Sequence, residues 1–207
     1  MRVVQNDETL SEEAIHFYNK AIDSQKTGNL KEAKKFYLEA LKISPKFPQA
    51  LNNLANIYRK MKKFEEARSL YIKSFRIDRS FSLPIVNIAY LNMEKGEWKR
   101  AYHAFKFAFE IGIAHLEKDE ICNINLDFGI CCLKLSKYHE AIEAFKKSIE
   151  LNEESLHSHI GLILALREIG EYHEAFREIE KVENLGFKSV ELNLLKKIVI
   201  SNILENN

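Results

Sequence analysis

The chain has 207 residues, 46% hydrophobic and 29% charged, with a formal net charge of +1. That composition excludes a disordered chain and gives no global pull toward nucleic acid or an anionic membrane. No segment approaches the roughly 18 apolar residues of a membrane span, and three Pro and seven Gly are too few for a turn-rich β fold.

Taken from the amino terminus, Met1 to Glu8 contain no apolar stretch of signal-peptide length, so the expected location is the cytoplasm. Residues 1–13 form a lead-in. Thr9-Leu10-Ser11-Glu12 has capping-box spacing and predicts a first helix from about residue 10. From there a short phrase recurs: Asn29-Leu30-Lys31-Glu32-Ala33, then Lys63 to Ala67, Glu97 to Ala101, Lys137 to Ala141 and Glu171 to Ala175. Its alanines are 34, 34, 40 and 34 residues apart. A period of that size marks an array of helical hairpins. Within each unit the apolar positions recur at helical spacing twice, as in Leu51, Leu54, Ala55 and Tyr58, then Phe64, Ala67, Leu70, Tyr71 and Phe75. A polar turn separates the two stripes, with Gly28, Gly96 or Gly170 in three of the five units, so paired helices must run antiparallel. The units fall at 14–47, 48–81, 82–115, 122–155 and 156–189. Residues 116–121 are an insertion that accounts for the interval of 40, and the following helix is expected over Asp119–Leu135. The superhelix is expected to be perturbed there, with continuous stacking favoured over a break into sub-arrays 1–115 and 116–207. Gly112 and Gly186, each 11 residues beyond their alanine, read as glycine helix caps. Residues 190–207 hold a last, unpaired capping helix and tail whose Leu192, Leu194, Leu195, Ile198, Val199, Ile200, Ile203 and Leu204 exceed one buried stripe.

Small residues recur where paired helices touch, at Ala21, Ala55, Ala89 and Gly129 and again at Ala33, Ala67, Ala101, Ala141 and Ala175. A large ring follows one turn later, at Tyr37, Tyr71, Phe105 and Phe145, and then Ala40, Ser74, Ala108 and Ser148. With Pro45 closing the first unit, the pattern resembles the tetratricopeptide repeat family over nearly the whole chain. The fifth unit departs from it, with Ile163 and Ile179 at the small and aromatic positions. The resemblance implies an all-α fold, a right-handed superhelical α-solenoid of five helix-turn-helix repeats plus a C-terminal capping helix.

It further implies that the first helix of each repeat lines a concave groove that binds a protein or peptide partner. The groove residues would be Tyr18 and Asn19; Gln49, Asn52, Asn53, Asn56 and Arg59; Asn87 and Tyr90; and Asn123 and Asp127. Asn19, Asn53 and Asn87 occupy one repeat site, with Asp127 at its fourth occurrence. An Asn both donates and accepts, which suits the backbone of an extended peptide; replacing Asn53 and Asn87 with Ala is expected to abolish capture at little cost in melting temperature. One subfamily clamps acidic carboxy-terminal tails through Lys and Arg on flanking repeats. Here Asn53 matches its middle element, but Tyr18, Ile22, Leu83 and Asn87 stand in the other places, which argues against that clamp.

Catalytic and metal chemistry find no support in the residues. There is no phosphate loop or zinc spacing, and Cys122, Cys131 and Cys132 are odd in number and read as buried thiols. His157 and His159 point about 200° apart on a helix and cannot easily share an ion. His139 and His173 read as solvated surface residues. The expectation is therefore a non-catalytic adaptor without cofactor, metal or small-molecule substrate. Two other classes stand beside it: a module that self-assembles through the apolar last helix, and an RNA-binding solenoid. RNA is disfavoured because the basic excess, fifteen Lys/Arg against six Asp/Glu over 14–81, lies largely on outward second helices, among them Lys31, Lys34, Lys35 and Arg68.

Overall fold

A computed structural model describes residues 10–205. They form eleven helices: α1 Glu12–Lys26, α2 Leu30–Ile43, α3 Pro48–Lys60, α4 Phe64–Ile77, α5 Leu83–Glu94, α6 Trp98–Ile111, α7 Lys118–Lys134, α8 Tyr138–Leu151, α9 Leu156–Glu168, α10 Tyr172–Asn184 and α11 Val190–Glu205. No strand occurs among the described residues. The fold is an all-α solenoid of helical hairpins closed by a single helix.

The recurring phrase is the start of each second helix. In α2 the Asn29 side chain accepts a hydrogen bond from the Glu32 backbone N–H, while Glu32, Glu65, Glu66, Glu140 and Glu174 sit in first turns, where the helix dipole favours anions. The helices α3 and α5 carry Pro48 and Pro84 in their first turns, where a missing N–H costs nothing. The turn inside each hairpin needs one residue with positive φ. Gly28, Gly96 and Gly170 supply it at +80°, +72° and +84°, but Lys62 and Ser136 hold the same position at 60° and 56°. A side chain in that region costs roughly 1–2 kcal/mol, so the second and fourth hairpins close against a strain the others avoid.

The first helix starts at Glu12 with Ser11 as its N-cap, whose side chain makes no capping bond, and the capping box expected there involves Thr9, which lies outside the described residues. A capping box does occur at α7. There Glu117 and Glu120 exchange side-chain and backbone bonds, starting the helix at Lys118 and absorbing the end of the insertion. Gly112 and Gly186 follow α6 and α10 at positive φ, as expected of glycine caps.

The described residues resolve into two compact units, one of residues 10–95 with 103–112 and one of 96–102 with 113–205. The division runs through α6 and after Gly112, not between residues 115 and 116. In the first unit, Ala21, Ala33, Tyr37, Phe47, Ala50, Leu54 and Ile57 form one cluster, and Ala55, Ala67, Tyr71 and Leu91 another. The four recurring rings Tyr37, Tyr71, Phe105 and Phe145 are all 0% exposed, as are the five second-helix alanines. Ring burial at those sites supplies area, and alanine lets the backbones approach closely.

In the second unit the Phe145 ring lies between two glycines. A methyl carbon placed on Gly129 would come within 2.6 Å of its Cε1, and one on Gly161 would also overlap the ring. Ser148, at the recurring small-residue site, donates to the Cys122 carbonyl at 3.0 Å, and Ser74 donates to the Pro48 carbonyl at 2.8 Å, so neither buried hydroxyl is left unsatisfied. Ile163 and Ile179, the fifth unit's departures from the pattern, are both fully buried.

Candidate partner-binding face

The first helices of the first unit, α1, α3 and α5, carry most of the residues expected in the groove. Helical geometry places Asn52 and Asn53 about 100° apart on α3, so one looks toward α5 and the other toward α1. The Asn87 Nδ2 on α5 donates to Asn52 Oδ1 at 2.9 Å. Asn52 Nδ2 donates to Asn53 Oδ1 at 3.3 Å, and Asn53 Nδ2 donates to Tyr18 Oη on α1 at 3.1 Å. Three amides and a phenol thus form one chain of bonds across three helices.

Burial follows the same order. Asn52 and Asn87 are 4% and 8% exposed, whereas Asn53 and Tyr18 are half-buried. The Tyr18 ring is fixed by Phe47, with centroids 4.7 Å apart, and by Tyr37 at 5.8 Å. Burial raises the Tyr18 pKa above its ordinary value, against a smaller lowering by the Asn53 bond, so the phenol stays neutral.

Two further positions of this set are engaged within the chain. Asn56 Oδ1 accepts from the Tyr71 hydroxyl at 2.6 Å. Arg59 pairs with Glu94 at 3.3 Å and lies 5.7 Å from the Tyr90 ring centroid, while its Nε is buried without a partner among the described residues. Lys62 shares the same Glu94 carboxylate at 3.0 Å. Asn19 is exposed and Gln49 half-buried, and neither makes a hydrogen bond among the described residues. The two remaining positions belong to the second unit, on α7: Asn123 is exposed and Asp127 half-buried.

The bonding of Asn87 corrects one expectation. Its loss would leave the buried Asn52 carbonyl oxygen unsatisfied, at a cost of about 1–3 kcal/mol, so Asn87→Ala is not neutral for stability. Sequence spacing shows that Asn19, Asn53 and Asn87 are equivalent. It does not show that the bond from Asn87 passes to Asn53 through Asn52, one residue off the repeat site.

The second unit holds a buried ionic group that spacing alone did not reveal. His159 Nδ1 lies 2.6 Å from Glu178 Oε1 on α10, and its Nε2 lies 2.8 Å from the Glu153 carbonyl. Lys181 reaches the other Glu178 oxygen at 2.8 Å. His159 and Glu178 are 3% and 4% exposed. His157, His139 and His173 are exposed. An open depression of about 570 Å³ beside this group is lined in part by Ile149 and Leu162 and by the Lys146–Glu174 pair.

The three cysteines are buried. Burial pushes the Cys131 thiol up to about 11, which keeps it protonated and unreactive. Among the described residues, no three His, Cys, Asp or Glu side chains converge on a metal position, and no helix is long and apolar enough to cross a membrane.

Stacked antiparallel hairpins with alanine contacts and ring wedges define a helical-repeat protein. Comparison with known proteins agrees. Tetratricopeptide repeat models match residues 36–69 and, separately, residues 24–47 and 124–155. The chain is a tetratricopeptide repeat protein. A 42-residue stretch is 48% identical to the Photosystem I assembly protein Ycf3 of Cyanophora paradoxa, covering 20% of this chain and 24% of that protein. Among solved structures, PilF of Pseudomonas aeruginosa is similar at a TM-score of 0.75 and 20% identity, over 94% of this chain and 86% of that one. YrrB, described as a tetratricopeptide repeat protein with an unusual peptide-binding site, is similar at 0.72 and 18%, over 80% and 82%. MamA gives 0.67 and 18%, over 83% and 90%.

Proposed function

We propose that this chain is a non-catalytic adaptor that holds an extended segment of a partner protein along its first helices. The observation that carries the reading is the row of amides on α3 and α5 that is joined by its own bonds to the Tyr18 phenol of α1. A side chain already held in place loses less freedom when a partner arrives. Asn19 and Gln49 make no hydrogen bond among the described residues and would bond the partner directly. Asn56, Arg59 and Tyr90 complete the proposed face of the first unit. Two similar proteins point the same way, one described as having a peptide-binding site and one as an assembly protein. The basic residues that RNA would need are partly engaged within the chain: Lys34 lies over the Tyr58 ring at 4.7 Å, and Arg68 bonds Asn92 at 2.7 Å.

The test is selection of a random phage-displayed peptide library on the immobilised chain. Selected peptides should bind Asn19→Ala/Gln49→Ala about five- to tenfold more weakly per bond lost, with the melting curve unchanged. No enrichment, or equal binding by that variant, overturns the reading.

A further inference from the structure

The chain of bonds across α1, α3 and α5 has a direction. Every amide hydrogen in it points toward α1: Asn87 gives to Asn52, Asn52 to Asn53, and Asn53 to Tyr18. Tyr18 Oη is the last acceptor. Its own hydrogen makes no bond with any described residue, since Asn53 approaches as donor and the other contacts of the ring are Phe47 and Tyr37. A phenol offers one donor besides its acceptor lone pairs. From this we infer that the Tyr18 hydroxyl is a dedicated donor to one main-chain carbonyl of the bound partner segment. The inference rests on the peptide-binding reading above and fixes one contact within it.

Three physical points support the assignment. Bonds arranged head to tail polarise one another, so a hydroxyl that accepts from Asn53 becomes a better donor than an isolated phenol. The ring cannot swing away, because Phe47 and Tyr37 pack on it, and an immobile donor selects one acceptor position. No cation contacts Tyr18 among the described residues, so the site is neutral and matches a peptide carbonyl better than a carboxylate or phosphate. A main-chain carbonyl is also the acceptor that every extended segment carries, whatever its side chains. The site therefore fixes the register of the segment and leaves its composition open.

The experiment uses a peptide enriched from the phage library by the whole chain. Its backbone amides are replaced one at a time by esters, which weakens the carbonyl that each amide carried. The inference expects one ester position that weakens binding to the native chain about five- to tenfold. It expects Tyr18→Phe, which keeps the ring, to weaken the parent peptide by a similar factor. Combining the two changes should give no further loss, the signature of one shared bond. If Tyr18→Phe binds as tightly as the native chain, or if ester and Phe effects multiply at every position, the Tyr18 assignment is overturned and the groove reading stands. If no peptide is enriched at all, the groove reading fails and carries this assignment with it.

Discussion

The imidazole of His159 faces an acceptor at each nitrogen, the Glu178 carboxylate and the Glu153 carbonyl. Both nitrogens can be satisfied only if both carry hydrogen, so the folded chain favours the charged ring. Burial is the largest influence on His159 and opposes charging, but the two hydrogen bonds and the Glu178 charge together outweigh it and raise its pKa above the ordinary value. Burial likewise pushes Glu178 upward, and the bonds from His159 and Lys181 with their charges outweigh it and lower its pKa. A raised histidine contributes stability that is complete below the ordinary value of 6.5 and is lost as pH rises through the folded value. A lowered carboxylate contributes stability above 4.5 that is lost as pH falls through its folded value. The pair therefore supports the fold most between those limits. Urea unfolding of the native chain and of His159→Gln from about pH 5.5 to about pH 9 should show a difference that is largest at the acid end and shrinks toward alkaline pH. A constant difference would show that the ring is uncharged throughout. None of this was legible in the sequence. His159 and Glu178 lie 19 residues apart on two helices, and only the packing of α9 on α10 makes them neighbours.

At the scale of the helix, the sequence was far more informative. Alanines at period 34 located the contacts between helices, and every one of them is buried to 0%. Glycine carried the same message at Gly129. The role of Gly161 was hidden, because it falls two residues before the small-residue site, where Ile163 stands. Its lack of a Cβ is what admits the Phe145 ring between α7 and α9. Alanine at 161 gains up to about 1 kcal/mol of helix propensity, but overpacking against a fully buried ring costs about 1–3 kcal/mol. The clash should win, and Gly161→Ala should lower the unfolding midpoint. Adding Phe145→Leu should recover part of that loss in a double-mutant cycle. If the alanine variant is more stable than the native chain, the ring has room to move and the packing account is wrong. The asparagines show where repeat reading runs out at this scale. It aligns equivalent positions and is blind to a bond that steps sideways by one residue, as from Asn53 to Asn52.

For the molecule as a whole, composition and period foretold an all-α array with an unpaired last helix, and that is the architecture observed. The insertion of 116–121 foretold an irregularity, and the division of the chain runs both after Gly112, just before that insertion, and through α6, which has an ordinary repeat sequence. The last helix buries Leu192 and Val199, while Val190, Leu194, Ile198, Ile200 and Leu204 remain 86%, 58%, 36%, 38% and 72% exposed. That exposed surface favours self-association as a second reading of the chain's role. Sedimentation at rising concentration should then show a larger species that Leu194→Glu/Ile198→Glu converts to monomer. A native chain that sediments as a monomer throughout removes this reading.

The passage of α6 through both units has a practical corollary for anyone wishing to express one of them alone. Trp98, whose carbonyl accepts from Cys131 at 3.3 Å, and Tyr102, which donates to Glu140 at 2.8 Å and stacks on Phe128, are counted with the carboxy-terminal unit. Scissors applied at the visible loop after Gly112 would strip that unit of both residues and uncover Phe128. A cut upstream of Gly96 would keep them, at the expense of carrying along a helix whose remaining turns were made for something else.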